Sequence, residues 1–296
     1  MKKSIMLILQ LGLLLPCLPV MAQHEEPLLA SVAYQFIHVN DTNNRANPVK
    51  AEMILRLGQS NSKYNNASLE NRLKNAQAKA KAQVSAPAAP RKMLVGGPMA
   101  VVMNESFDVL FQMPAENTLI RTATLGMQDY MIETPLPKID WKIENDIKTI
   151  GAYSCQKATG FFAGRVYTAW FTADLPFRNG PWKLWGLPGL ILEATDSKNE
   201  VLFLFKEISK GTDNERISST ARRPVKVGEE VFSRAKKSFD QNPSATMQTQ
   251  LGNNSFDIGT FYMDASGNTI EGDEAKAAIK REAKIKNQNP IELTKN

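Results

Sequence analysis

Gly180-Pro181-Trp182-Lys183-Leu184-Trp185-Gly186-Leu187-Pro188-Gly189-Leu190-Ile191-Leu192-Glu193 is the stretch on which the reading of the chain turns. Two turn signals, Gly180-Pro181 and Gly186-Leu187-Pro188-Gly189, precede an apolar run at 190–194 that has the length of a strand. Leu187 stands before a proline and is held extended. Pro188 suits position i+1 of a β-turn, and Gly189 suits the positive φ that a type II turn requires at i+2. The stretch reads as a rigid corner delivering a buried strand. Trp182 and Trp185 lie on the loop entering it, where chain is ordinarily at the surface.

Outward from the corner, residues 93–208 show short apolar or alternating runs broken by turn residues every 8–12 positions, the pattern of an all-β fold. Strands are expected at 100–103, 107–112, 118–124, 130–134, 139–143, 150–159, 165–172, 190–194 and 201–208. Two more are expected nearer the N-terminus, at 32–39 and around Met53, Leu55 and Leu57. Few helical segments interrupt them, so antiparallel pairing is favoured over βαβ units. Ser68 caps an expected helix reaching about residue 83, followed by a Pro/Ala connector at 84–91, together a solvated excursion from the sheet. From about residue 221 the chain turns polar and helical. Val231, Phe232, Ala235 and Phe239 form one apolar stripe, and 273–286 is a second, weaker helix. The expected fold is mainly β: an antiparallel, strongly curved sheet or open barrel with peripheral helices, one domain over 23–296.

Residues 1–22 have the form of a secretory signal peptide: Lys2 and Lys3, an apolar stretch at 5–15, and a small-residue cleavage site at Val20-Met21-Ala22. Pro16 before Cys17 argues against a lipoprotein. No later run approaches the ~20 apolar residues of a spanning helix. The chain is therefore expected to be exported to the periplasm or cell envelope. Losing two lysines with the signal lowers the formal charge from +6 to +4, with basic residues scattered, which argues against nucleic acid. Cys155 is then the single cysteine left, so no internal disulfide forms and a buried thiol is expected.

Candidate chemistry is sparse. His24 and His38 lie near no second His or Cys at metal-ligand spacing, so neither a metal site nor a cofactor is expected. His38 reads as a packed strand residue. Cys155 shares a strand face with Tyr153 and Lys157, and reads as a small buried hydrophobe in preference to a reactive thiol. Six of the twelve methionines fall between Met93 and Met131, and read as core filler or the lining of an adaptable groove in preference to a Cu(I) site, since no pair is closer than four apart. All four tryptophans lie between Trp141 and Trp185, and Trp170, Trp182 and Trp185 are the candidate lining of a ligand or partner groove.

At these residues a family resemblance becomes specific. Trp185-Gly186-Leu187-Pro188-Gly189-Leu190-Ile191 is similar to the naming motif of the GLPGLI family of bacterial envelope proteins. Ile139-Asp140-Trp141, the run 150–158, Gly164-Arg165, Thr168 to Phe171, Gly180-Pro181-Trp182 and the terminal Asn289-Pro290-Ile291-Glu292-Leu293 also resemble family features, in order. The Leu69 to Pro90 insert departs from the pattern. The resemblance implies an exported protein, mainly of Bacteroidota, often encoded near TonB-dependent outer-membrane receptors and without assigned activity. The resulting expectation is a non-enzymatic envelope accessory protein that binds an apolar or amphipathic ligand, or an outer-membrane partner such as a TonB-dependent receptor. The alternatives are an envelope enzyme, either a hydrolase without a His triad or a thiol redox protein using Cys155, and a purely structural interaction module.

Overall fold

The computed structural model describes residues 25–67, 70–71, 108–126, 128–212, 214–218, 224–242, 245–246, 249–250, 261–263, 269–271, 277 and 289–293. The expected signal peptide, His24, all but residues 70–71 of the helix after Ser68, the connector that follows it, the strand at 100–103 and nearly all of the helix at 273–286 lie outside these residues.

Twelve strands hydrogen-bond into one sheet, built from two meanders. The first runs β2 (Ala30–His38), β3 (Val49–Leu57), β4 (Ser62–Asn66), β5 (Val109–Met113), β6 (Thr118–Leu125) and β7 (Gln128–Pro135). The second runs β8 (Lys142–Ile150), β9 (Tyr153–Phe162), β10 (Arg165–Thr172), β11 (Leu190–Asp196) and β12 (Val201–Lys210). The two join where β12 pairs antiparallel with β2. A short β14 (Val225–Val227) adds parallel to β7, the one parallel pair in a sheet otherwise antiparallel. β1 (Glu25–Pro27) pairs with β13 (Arg216–Ser218), and β15 (Phe261–Met263) with β16 (Thr269–Glu271), as separate two-stranded ribbons.

The order β14-β7-β6-β5-β4-β3-β2-β12-β11-β10-β9-β8 puts β7 and β8 near opposite ends, yet residues 136–141 alone connect them. Ten strand spacings in a flat sheet span roughly 48 Å at ~4.8 Å each. Seven Cα steps reach at most about 25 Å. The sheet must therefore curl to bring its ends together, and because β14 and β8 do not pair it remains open.

Residues directly opposite in antiparallel strands share a face. Ile143, Ala158, Ala169, Ala194, Phe203, Phe36 and Ala51 thus form one row across seven strands on the inner face. The next row of the outer face begins Lys142, Thr159, Thr168, Thr195, Leu202 and Ile37. Ala158, Ala169 and Ala194 are all fully buried and belong to the same core cluster as Trp182, Leu184 and Leu187 of the corner loop. One helix is prominent among the described residues. α1 (Glu229–Gln241) lies at the β6–β7 end, burying Phe232 and Phe239 with Ala123, Leu125 and Ile132. Glu229 and Glu230 sit in its first turn, as the helix dipole favours.

The strand expected at 139–143 is displaced. Residues 136–141 are irregular and β8 starts at Lys142, because Trp141 packs on Gly160, where an added Cβ would meet its ring at 2.8 Å. The strand expected at 150–159 is two strands. Gly151 at φ 58° turns the chain between Ile150 and Tyr153, with the positive φ that a II′ hairpin loop requires first. The β9–β10 hairpin turns at Ala163 and Gly164, both at positive φ, the I′ pattern that matches strand twist.

Candidate functional site

The corner loop lies inside the curled sheet, not on its surface. Trp182 is 6% exposed and packs against Phe162, Tyr167 and Phe203, stacked on the last at 15° between ring planes. Its carbonyl accepts a hydrogen bond from Gln112 Nε2 on β5 at 3.2 Å. Asn179 Nδ2 donates to Ser62 Oγ on β4 (2.9 Å) and to Gln112 Oε1 (3.2 Å). The loop therefore ties the first meander to the second. Two indoles then clasp it to the β7–β8 connection: Trp185 Nε1 donates to Pro137 O at 2.7 Å and Trp141 Nε1 donates to Trp185 O at 2.8 Å.

Gly189 does not hold the positive φ expected of it; Gly186 does, at 98°, and Trp182 adopts 58°. Gly189 is required for another reason. A Cβ there would stand 2.1 Å from the Thr172 carbonyl oxygen, so β10 passes too close for any side chain. Leu187, Leu190 and Ile191 are buried, and Tyr34 Oη donates to Ile191 O at 2.7 Å.

The three candidate tryptophans are not brought together. Trp182 is a core residue and Trp185 is half-buried in the clasp, whereas Trp170 faces the outer side between Lys157 and Glu193. Lys148 Nζ sits 4.6 Å from the Trp170 ring centroid and 2.5 Å from Glu193 Oε2. Cys155 is fully buried beside this pair, and burial, reinforced by the Glu193 carboxylate, pushes its thiol up to about 11. A thiol so placed stays protonated at neutral pH.

A second polar constellation is buried at one end of the inner face, and its residues are scattered in sequence. Arg165, at the start of β10, directs Nη1 to Asp196 Oδ2 (2.7 Å) and Glu200 Oε2 (3.2 Å). Its remaining donors go to the C-terminal segment: Nε to Ile291 O (3.1 Å), Nη2 to Asn289 Oδ1 (2.7 Å) and Pro290 O (2.8 Å). Asp196 Oδ1 accepts the backbone N–H of Glu200 and Val201 at 2.6 and 2.9 Å, which fixes the β11–β12 turn. Asn289 Nδ2 donates to Val39 O and Glu200 Oε2 at 2.6 and 3.0 Å, and Arg45 pairs with Glu200 from the rim.

His38 closes the constellation, its Nε2 donating to Asn289 O at 2.8 Å. Burial pushes its imidazole down to about 4, so it is neutral at neutral pH. Burial alone would raise the Glu200 carboxyl, but hydrogen bonds from Arg165, Arg45 and Asn289 hold it below the usual carboxylate range. Of these residues the sequence reading singled out only His38, as a packed strand residue. Arg165 and the 289–293 run stood out through the family resemblance alone. No group of three His, Cys, Asp or Glu able to hold a metal ion occurs among the described residues. No helix among them is long and apolar enough to cross a membrane.

No match was found among curated proteins. Two structures of PNGF-II, in different space groups, are similar at TM-scores of 0.48 and 0.47, with 15% and 14% identity over 70% and 72% of this chain. The similar region is 32% of the PNGF-II chain in each, so this chain spans about a third of that protein. Residues 162–193, from the β9–β10 hairpin through the corner to Glu193, match the model of a Bacteroidota-associated family described as "Protein of unknown function (Porph_ging)".

Proposed function

We propose that the chain is an exported, non-enzymatic accessory protein of the cell envelope, of the GLPGLI type, that binds an amphipathic partner at the β8–β10 end of its sheet. The observation that carries this reading is where apolar side chains are left in solvent. Ile147 on β8 is 63% exposed and Phe161 on β9 is 64% exposed, with Ile143 and Val166 close behind at 46% each. Ile143 and Ile147 extend the inner face past the core at the sheet's last strand, and Phe161 and Val166 are direct partners on the outer face. An edge strand that has no further neighbour among the described residues, flanked by apolar side chains, suits a partner that adds to the edge and covers both. The bulge between Ile143 and Ile147, with Lys142, Glu144, Asp146 and Lys148 along the same strand, discourages indiscriminate pairing.

Export rests on the character of residues 1–22, and a TonB-dependent receptor is the partner class that the family resemblance implies. The test is site-specific photocrosslinking in the intact envelope, with the crosslinking residue at Ile147, at Phe161 and, as a control, at the exposed Lys50 of β3. Discrete adducts at the first two positions and none at Lys50 are expected. Adducts at neither of the two, or equally at Lys50, would remove the binding face. Recovery of the protein in the cytoplasm would remove export.

A further inference from the structure

We propose that the Arg165 constellation is a peptide-binding site, occupied in this chain by its own residues 289–293 and able to take a segment of the same chemistry in trans. The ligand class is an extended peptide reading Asn-Pro-aliphatic-acidic. The site is distinct from the β8–β10 face and does not depend on it.

The geometry is that of a receptor and a ligand. Residues 289–293 join no strand of the sheet, yet their side-chain polar groups and the carbonyls of Asn289, Pro290 and Ile291 all meet groups from other elements. The Asn289 amide is read on both sides, its oxygen by Arg165 and its nitrogen by Val39 O and Glu200, while its backbone carbonyl accepts from His38. Pro290 offers no N–H and its carbonyl accepts from Arg165, whose Nε also reaches the carbonyl of Ile291. The Ile291 side chain is buried in the main core. Glu292 pairs with Lys183 of the corner loop, and Leu293 N donates to Ala163 O at the β9–β10 turn.

The receptor side is organised without the segment. Asp196 is held by the Glu200 and Val201 amides, and Arg165 is held by Asp196 and Glu200. Withdrawing the segment would leave the Arg165 Nε and Nη2, the Val39 carbonyl and the His38 N–H unmatched in a buried site, an arrangement that strongly favours refilling. A tethered segment competes at a high effective concentration, so free peptide binds well only when the tethered copy is weakened.

Two full-length variants loosen the segment to different depths: Asn289→Ala with Ile291→Ala, and the milder Glu292→Lys at the rim ion pair. Each is titrated with a synthetic peptide of residues 287–295 and with a scrambled peptide, by calorimetry and by melting temperature. The expected result is that the matching peptide binds the loosened chains at least tenfold more tightly than it binds the unaltered chain. It should also raise their melting temperatures toward that of the unaltered chain, while the scrambled peptide does neither. Adding Arg165→Lys to the Glu292→Lys chain should abolish the difference between peptides, because lysine cannot span the three carbonyl and amide oxygens. If the double-alanine chain does not fold, Glu292→Lys decides. Folded loosened chains that are less stable, yet respond to the two peptides alike, would show a purely structural strap and overturn the proposal.

Discussion

His38 is buried against Arg165, Asp196, Glu200 and Asn289, and burial pushes its imidazole from the ordinary 6.5 to about 4. Between those values the unfolded chain binds a proton that the folded chain does not, so stability rises with pH there. The contribution is complete well above pH 6.5 and is lost as pH falls toward 4; between pH 7.5 and 5 the loss amounts to about 2 kcal/mol. Melting at pH 7.5 and 5.0 should show this drop in the unaltered chain and a much smaller one in His38→Gln, whose amide N–H still faces Asn289 O. Equal drops in both proteins would assign the acid sensitivity elsewhere. Gly189 and Gly186 make a second pair of cases at this scale, because they are glycine for different reasons. Gly189 meets a backbone carbonyl that cannot move without moving β10, whereas Gly186 has open space and a left-handed φ. Gly189→Ala should therefore cost about 2–4 kcal/mol and Gly189→Asn no less, the range of a severe local clash. Gly186→Ala should cost about 1–2 kcal/mol, the penalty of a left-handed residue, and Gly186→Asn less. The reverse order of melting temperatures would reject both assignments.

At the level of elements, legibility followed how local the deciding interaction is. β10 matches the expected 165–172 at both ends because alternation, a flanking Ala163-Gly164 turn and β-branched or aromatic residues all agree. β2, β6 and β12 were likewise legible in their alternation, give or take two residues at an end. The 139–143 run has the composition of a strand, but Trp141 is drawn out of the ladder by a glycine nineteen residues on, Gly160, and by the Trp185 carbonyl. Neither partner is visible from the local pattern. The corner misled in the same way. Its residues have the chemistry of a type II turn, and what fixes Gly189 is the close passage of Thr172. A loop carrying two tryptophans reads as surface, and here it is an interior plug, with Trp182 seated against Phe162, Tyr167 and Phe203 of three different strands. The Arg165 constellation draws on β2, β10, the β11–β12 turn and residues 289–293, and no spacing in the sequence joins them.

Over the whole molecule, the curled sheet holds two meanders that share one long ladder, β2 with β12, and are bridged a second time through the interior by the corner loop. That second bridge is expected to make a cooperative unit of what the topology alone would allow to open as two halves. The placement of the chromophores gives the test. All four tryptophans lie between Trp141 and Trp185, in the second meander and its connections, so tryptophan fluorescence reports chiefly that half. Far-ultraviolet circular dichroism reports strands of both halves. If the bridge couples them, urea unfolding followed by the two signals gives one midpoint and one slope, as two-state unfolding requires. Gln112→Ala with Asn179→Ala removes the two amide side chains that join the corner loop to β4 and β5, while leaving the β2–β12 ladder and the Tyr34–Ile191 bond intact. In that variant the two curves should separate, the first meander losing its structure at lower urea than the tryptophans report. Separate midpoints already in the unaltered chain, or a coincident pair in the double variant, would show that the ladder alone sets the cooperativity and that the interior loop is packing without a coupling role.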